Sequence, residues 1–133
     1  MFFSKKVCIF VIKIILNKKN DNMIEIKKIN NQDEFDSFIN SDNDIIHVVK
    51  IGAEWCGPCR QLSTIISNLN NDKIYGTLFG EIDVEEDGVE DIIMEYNIKN
   101  IPVILFFKNK ELLKRTVGSM SSDVLYNILE ELK

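Results

Sequence analysis

A chain of 133 residues with 16 basic and 21 acidic side chains, a net charge of -5 and 45% hydrophobic residues is long enough for one hydrophobic core and too short for two full domains. The acidic balance leaves no broad cationic face, so neither nucleic acid nor anionic lipid is an expected partner. Three cysteines, Cys8, Cys56 and Cys59, are too few and odd in number for a disulfide-stapled secreted scaffold; His47 is the only histidine and neither it nor Cys8 has a paired ligand spacing, so no metal site is expected.

Residues 1–22 stand apart from the rest. Val7 to Leu16 is apolar except for Lys13, about ten residues where a membrane span needs roughly 20, so no span is expected. The basic start and apolar run lead into Asn17-Lys18-Lys19-Asn20 without the small residues of a signal-peptide cleavage site. A surface anchor, a plain appendage and a start of translation at Met23 stay open as alternatives. Residues 1–22 are therefore set aside as an N-terminal extension and 23–133 are taken as one domain.

Within that domain, Met23 to Ile29 alternates apolar and polar residues, the pattern of a half-buried strand. Asn31, with Glu34 three residues on, predicts the start of a helix that turns Phe35, Phe38 and Ile39 inward. Asp44 to Gly52 is rich in β-branched residues and predicts a central strand with His47 packed inside it. After the loop Ala53 to Arg60, Leu62, Ile65, Ile66 and Leu69 fall on one helical face, which puts Cys59 in the first turn and Cys56 just ahead of it. Ile74 to Val84 reads as the next strand and Val89 to Asn97 as a helix aligned on Val89, Ile92, Ile93 and Tyr96. A buried strand from Pro102 to Phe107 turns at Lys108-Asn109-Lys110 into Glu111 to Gly118; with no glycine at the turn, a longer or strained connection is predicted. The last helix starts near Ser122 and turns Val124, Leu125, Ile128, Leu129 and Leu132 inward. The order β-α-β-α-β-α-β-β-α predicts an α/β fold, a central mixed sheet flanked by helices on both faces. The acidic run Glu81 to Asp91 reads as a solvated strand end and helix start rather than a docking patch.

The chemistry concentrates in Trp55-Cys56-Gly57-Pro58-Cys59. Two cysteines three residues apart can form a permanent staple, half of a metal site or a reversible redox pair. This motif, lying between a strand and a helix and followed in order by Ile101-Pro102 and Val117-Gly118, resembles the active site of the thioredoxin family, and the resemblance extends from Met23 to Lys133. It implies the thioredoxin fold, with a cis-proline loop at Pro102 and a loop at Val117-Gly118 flanking the substrate groove. It also implies a dithiol-disulfide cycle on Cys56 and Cys59.

That cycle is chemically reasonable at this place. A thiol attacks a disulfide only as its thiolate, and a helix N-terminus favours the anion, so Cys56 is the expected nucleophile and Cys59 the thiol that resolves the mixed disulfide. A fixed bridge over so short a loop would stabilise the chain little. Gly57 and Pro58 set the turn between the sulfurs, Trp55 offers a flat apolar surface beside the nucleophile, and the backbone of Ile101 is expected to pair with an extended substrate.

The chain departs from the family at Lys50, where a buried aspartate is usual, and at Glu81, where the usual partner is a lysine. The pair is expected to be reversed in sign, and an ammonium there would assist ionisation of Cys56. Thr64 stands where the family often has a helix-kinking proline, so a straighter helix is expected. The expected protein is a protein-disulfide reductase that acts on disulfide-containing proteins and is recycled by a thioredoxin reductase-like electron donor. Its only redox group would be the Cys56-Cys59 disulfide, with no bound cofactor, and it would be cytoplasmic and monomeric. The rival readings are a disulfide oxidase or isomerase of a secretory compartment and a non-catalytic scaffold subunit with the same fold.

Overall fold

Every residue from Ile46 to Gly52 is buried, the signature of a strand covered on both faces, and around it the rest of the sheet is arranged. The computed structural model describes residues 24–133; the expectations for residues 1–22 and for Cys8 lie outside the described residues. In chain order the elements are β1 (Ile26–Lys28), α1 (Gln32–Ile39), β2 (Ile46–Gly52), α2 (Gly57–Ser67), β3 (Thr77–Asp83), α3 (Glu90–Glu95), β4 (Val103–Lys108), β5 (Glu111–Val117) and α4 (Ser122–Leu132). The strands form one sheet ordered β1-β3-β2-β4-β5. β3 is parallel to both β1 and β2, whereas β4 is antiparallel to β2 and to β5. This is the α/β mixed sheet expected from the element order.

The period-2 alternation of the strands divides the core in two. Val49, Ile51, Ile82, Leu105 and Phe107 face α1 and α3, where they meet Phe35, Phe38 and Ile92. Ile46, Val48, Phe79, Ile104 and Phe106 face the other way, onto Leu62, Ile66, Leu125 and Leu129 of α2 and α4. Position 50 belongs by parity to this second face, so Lys50 points toward α2.

Local signals explain the helix starts. Asn31 caps α1, its Oδ1 accepting from Glu34 N at 2.9 Å, while Glu34 Oε1 reaches back to Asn30 N at 2.8 Å. Ser121 caps α4 through Val124 N. Two expectations need correction. β3 begins at Thr77 rather than Ile74 because Gly76, at φ 83°, turns the chain first. Val124 is exposed, and Tyr126 takes its place on the inner face of α4, its hydroxyl accepting from Asn70 N at 2.7 Å. Of the two alternatives for the β4-β5 connection the structure takes the strained one: Asn109 and Lys110 make it alone, both at positive φ (51° and 73°), and Lys108 pairs with Glu111.

Candidate active site

β2 ends at Gly52, and four residues later the chain enters α2 with Cys56 as its N-cap in extended conformation (φ -86°, ψ 114°). The cap is a sulfur: Cys59 N donates to Cys56 Sγ at 3.2 Å. Pro58 lies in the first turn, where a missing N–H costs nothing. Cys56 and Cys59 are joined as a disulfide with their Cα atoms 5.2 Å apart, within the ordinary range for a bridge. The open N–H groups and the positive end of the helix macrodipole therefore face Cys56 Sγ, so a thiolate released there on reduction sits in a favourable field. Cys59 is 1% exposed and Cys56 6%, which leaves Cys56 nearer the surface.

Gly52 makes the close packing possible. A Cβ built on it would lie 2.7 Å from Cys59 Sγ and 3.0 Å from Cys59 Cβ, so no larger residue fits at that strand end without moving the cysteine. This requirement was missed in the sequence, where Gly52 reads only as a strand terminus.

Three further segments converge on the sulfurs. The Ile101-Pro102 peptide bond is cis, and Ile101 packs with Val84 against Ala53, Cys56 and Cys59. Gly118, at φ 94°, donates its N–H to Pro102 O at 2.7 Å and ties the end of β5 to the proline loop; Val117 beside it is exposed. Trp55 is 65% exposed, and its Nε1 donates to Glu85 Oε2 at 2.8 Å. Glu85 is in turn placed by its N–H on Asp83 Oδ1 at 2.8 Å. Part of the acidic run thus orients the tryptophan, a use the charge pattern alone does not reveal.

Behind the disulfide, Lys50 and Glu81 are register partners on β2 and β3, and Lys50 Nζ lies 3.3 Å from Glu81 Oε1. The ammonium also donates to Ser63 Oγ at 2.6 Å. Lys50 is buried and Glu81 half-buried. Ser63, four residues after Cys59 on α2, is the residue that sequence reasoning overlooked; the i, i+4 spacing that stacks it below Cys59 was its only signal. A cavity of about 260 Å³ is lined by Lys50, Glu81, Ser63, Gly52 and Cys59 among others. His47, on the opposite face of β2, takes no part. It is buried, edge-on to Phe38, with Nε2 3.1 Å from Ser41 Oγ. Burial lowers its pKa, opposed by the charge of Asp42.

Among the described residues no group of three His, Cys, Asp or Glu side chains could hold a metal ion, and no helix is long and apolar enough to cross a membrane. The sequence model of the family described as Thioredoxin matches residues 25–131. A thioredoxin from Chlamydia pneumoniae is 34% identical over 104 residues, covering 78% of this chain and 96% of the relative. One from Mycoplasmoides gallisepticum is 30% identical over 105 residues, covering 79% and 100%. Among solved structures, that of thioredoxin O2 from Arabidopsis thaliana in the oxidised state superimposes with a TM-score of 0.67 at 28% identity, covering 80% of this chain and 93% of that one.

Proposed function

This chain belongs to the thioredoxin family, and from that premise we propose that its chemistry runs through attack by Cys56 and resolution by Cys59. The protein is a thiol-disulfide oxidoreductase that reduces protein disulfides. The observation that supports the division of labour is the capping geometry: Cys56 is the N-cap sulfur, nearer to solvent and facing the helix N–H groups, whereas Cys59 lies in the first turn against Gly52.

In the forward direction the Cys56 thiolate attacks one sulfur of a substrate disulfide, and the other sulfur leaves as a thiolate. Cys59 then attacks Cys56 Sγ; the Cys56–Cys59 bond forms, the bond to the substrate breaks, and the substrate leaves with both sulfurs reduced. The exposed face of Trp55 and the backbone at Ile101, beside cis-Pro102, receive an extended segment of the substrate, with Val117 and Gly118 closing the other side. The Cys56-Cys59 disulfide is the only redox group in this reading, and no bound cofactor is invoked. A thioredoxin reductase-type electron donor resets it, and the protein works as a cytoplasmic monomer.

Insulin reduction by the full chain tests the assignment. Cys56→Ser abolishes turnover, and Cys59→Ser accumulates a covalent complex through Cys56 that mass spectrometry can locate. A Cys59→Ser protein that still turns over, or that is captured through Cys8 rather than Cys56, contradicts it.

A further inference from the structure

Two consecutive rungs join β2 to α2. On the first, Gly52 meets Cys59; on the second, Lys50 meets Ser63. Both strand residues are of one parity, so they share a face and lie about 6.6 Å apart along β2, and Cys59 and Ser63 are separated by about 6 Å along the helix axis. The Lys50 ammonium is therefore about one rung from Cys59 Sγ, on the same side of the sheet and on the wall of the same cavity. Among the described residues it is the one buried cationic side chain.

The other charges that face this space do not substitute for it. Glu81 on β3 is the direct partner of Lys50. The remaining lining charges are Lys28 from β1, Glu54 and Arg60 from either side of the motif, and Asp83 and Glu86 from the end of β3 and the turn after it. Of these, Lys28, Glu54, Arg60 and Glu86 are exposed, so solvent weakens their fields; Asp83, the register partner of Gly52, is half-buried, and its negative charge opposes the Cys59 anion rather than replacing Lys50.

We propose that Lys50 is the electrostatic counter-ion of the Cys59 thiolate, held in place by Ser63 and Glu81, and that it readies Cys59 for resolution of the mixed disulfide. Resolution requires that Cys59 lose its proton before it attacks Cys56 Sγ. Among the described residues no carboxylate or imidazole is in hydrogen-bond contact with Lys50 or Cys59 other than Glu81 on the lysine itself. The proton leaves to water, for which the cavity has room, and the neighbouring cation lowers the cost of the anion left behind. On re-reduction the same charge favours departure of Cys59 as a thiolate when an incoming donor thiolate attacks Cys56. Lys50 is thus a positioning residue for the resolving thiol rather than for the attacking one. The inference rests on the proposed division of labour between the two cysteines.

The test uses the full chain with Cys8→Ser and Cys56→Ser, so that Cys59 is the only thiol; serine is itself a good N-cap and keeps the start of α2. Ultraviolet thiolate absorbance is followed against pH. Lys50→Met raises the midpoint of Cys59 ionisation by about one pH unit or more, Lys50→Arg restores most of the difference, and Glu81→Gln, which removes the opposing charge, moves the midpoint down. If Lys50→Met does not fold, Glu81→Gln and Ser63→Ala carry the test. A Cys59 midpoint that stays in place in every folded variant overturns the proposal. In the two-cysteine protein, the rate of release from a preformed mixed disulfide follows the same pH shift. If wild-type insulin turnover fails while the midpoint still responds to Lys50, the functional reading falls and the counter-ion stands; the reverse pattern separates them the other way.

Discussion

At the scale of single residues, two positions on β2 carry testable consequences, one within the site and one on the opposite face of the strand. One is the absent side chain at Gly52. Gly52→Ala would press a methyl group into Cys59, and overpacking of this kind costs about 1–3 kcal/mol. The expected result is a lower urea midpoint together with slower insulin reduction, because the atom displaced is the resolving sulfur. The other is His47, buried and held neutral on the opposite face. Its pKa is lowered by burial, with Asp42 opposing, so the folded state binds a proton less readily than the unfolded chain does. The stability it contributes is fully present above the unfolded value of about 6.5 and is lost as pH falls below that value toward the folded one. Urea midpoints measured between about pH 7.5 and 5.5 should therefore decline in the wild type, with a shallower decline in His47→Gln. Equal slopes would mean that His47 does not carry the effect.

At the scale of elements, the β4-β5 turn shows how a local departure is tolerated. Asn109 accepts positive φ readily, but Lys110 at φ 73° is a residue type that disfavours it. Asp44 helps to hold the turn: its N–H donates to Asn109 Oδ1 at 2.9 Å. Lys110→Gly would supply the Asn-Gly pair that such a turn prefers and is expected to raise stability by about 1 kcal/mol in thermal or urea unfolding; an unchanged midpoint would show that the turn is not strained. Element order, the Asn31 cap and the place of the two cysteines at the start of α2 could be read from the chain because each rests on residues within a turn or two of one another. Strand order could not, since the pairing of β1 with β3 and of β2 with β4 brings distant segments together. The misassigned Val124 illustrates a second limit: it lies beside Leu125 at the edge of the apolar arc, and tertiary packing chose Tyr126, whose hydroxyl finds a backbone partner. Ser63 was illegible for a related reason. Its role exists only once β2 places Lys50 across from it.

For the molecule as a whole, the sheet is a device for collecting separate segments at one end of β2. The N-cap of α2, the cis-proline turn before β4, the end of β5 and the acidic turn after β3 meet there, while the two apolar layers hold them at fixed distances. The charged pair Lys50–Glu81 lies behind the disulfide, beside the apolar layer that β2 shares with α2 and α4. The central claim is that this assembly keeps Cys56 as a reactive anion near neutral pH. Its most direct measurement is the rate of alkylation of the fully reduced chain against pH, with the modified cysteine identified by peptide mass spectrometry. The account predicts that Cys56 reacts first, with a midpoint below the value of about 8.5 for a free thiol; a midpoint at or above that value, or preferential reaction at Cys59, would contradict it.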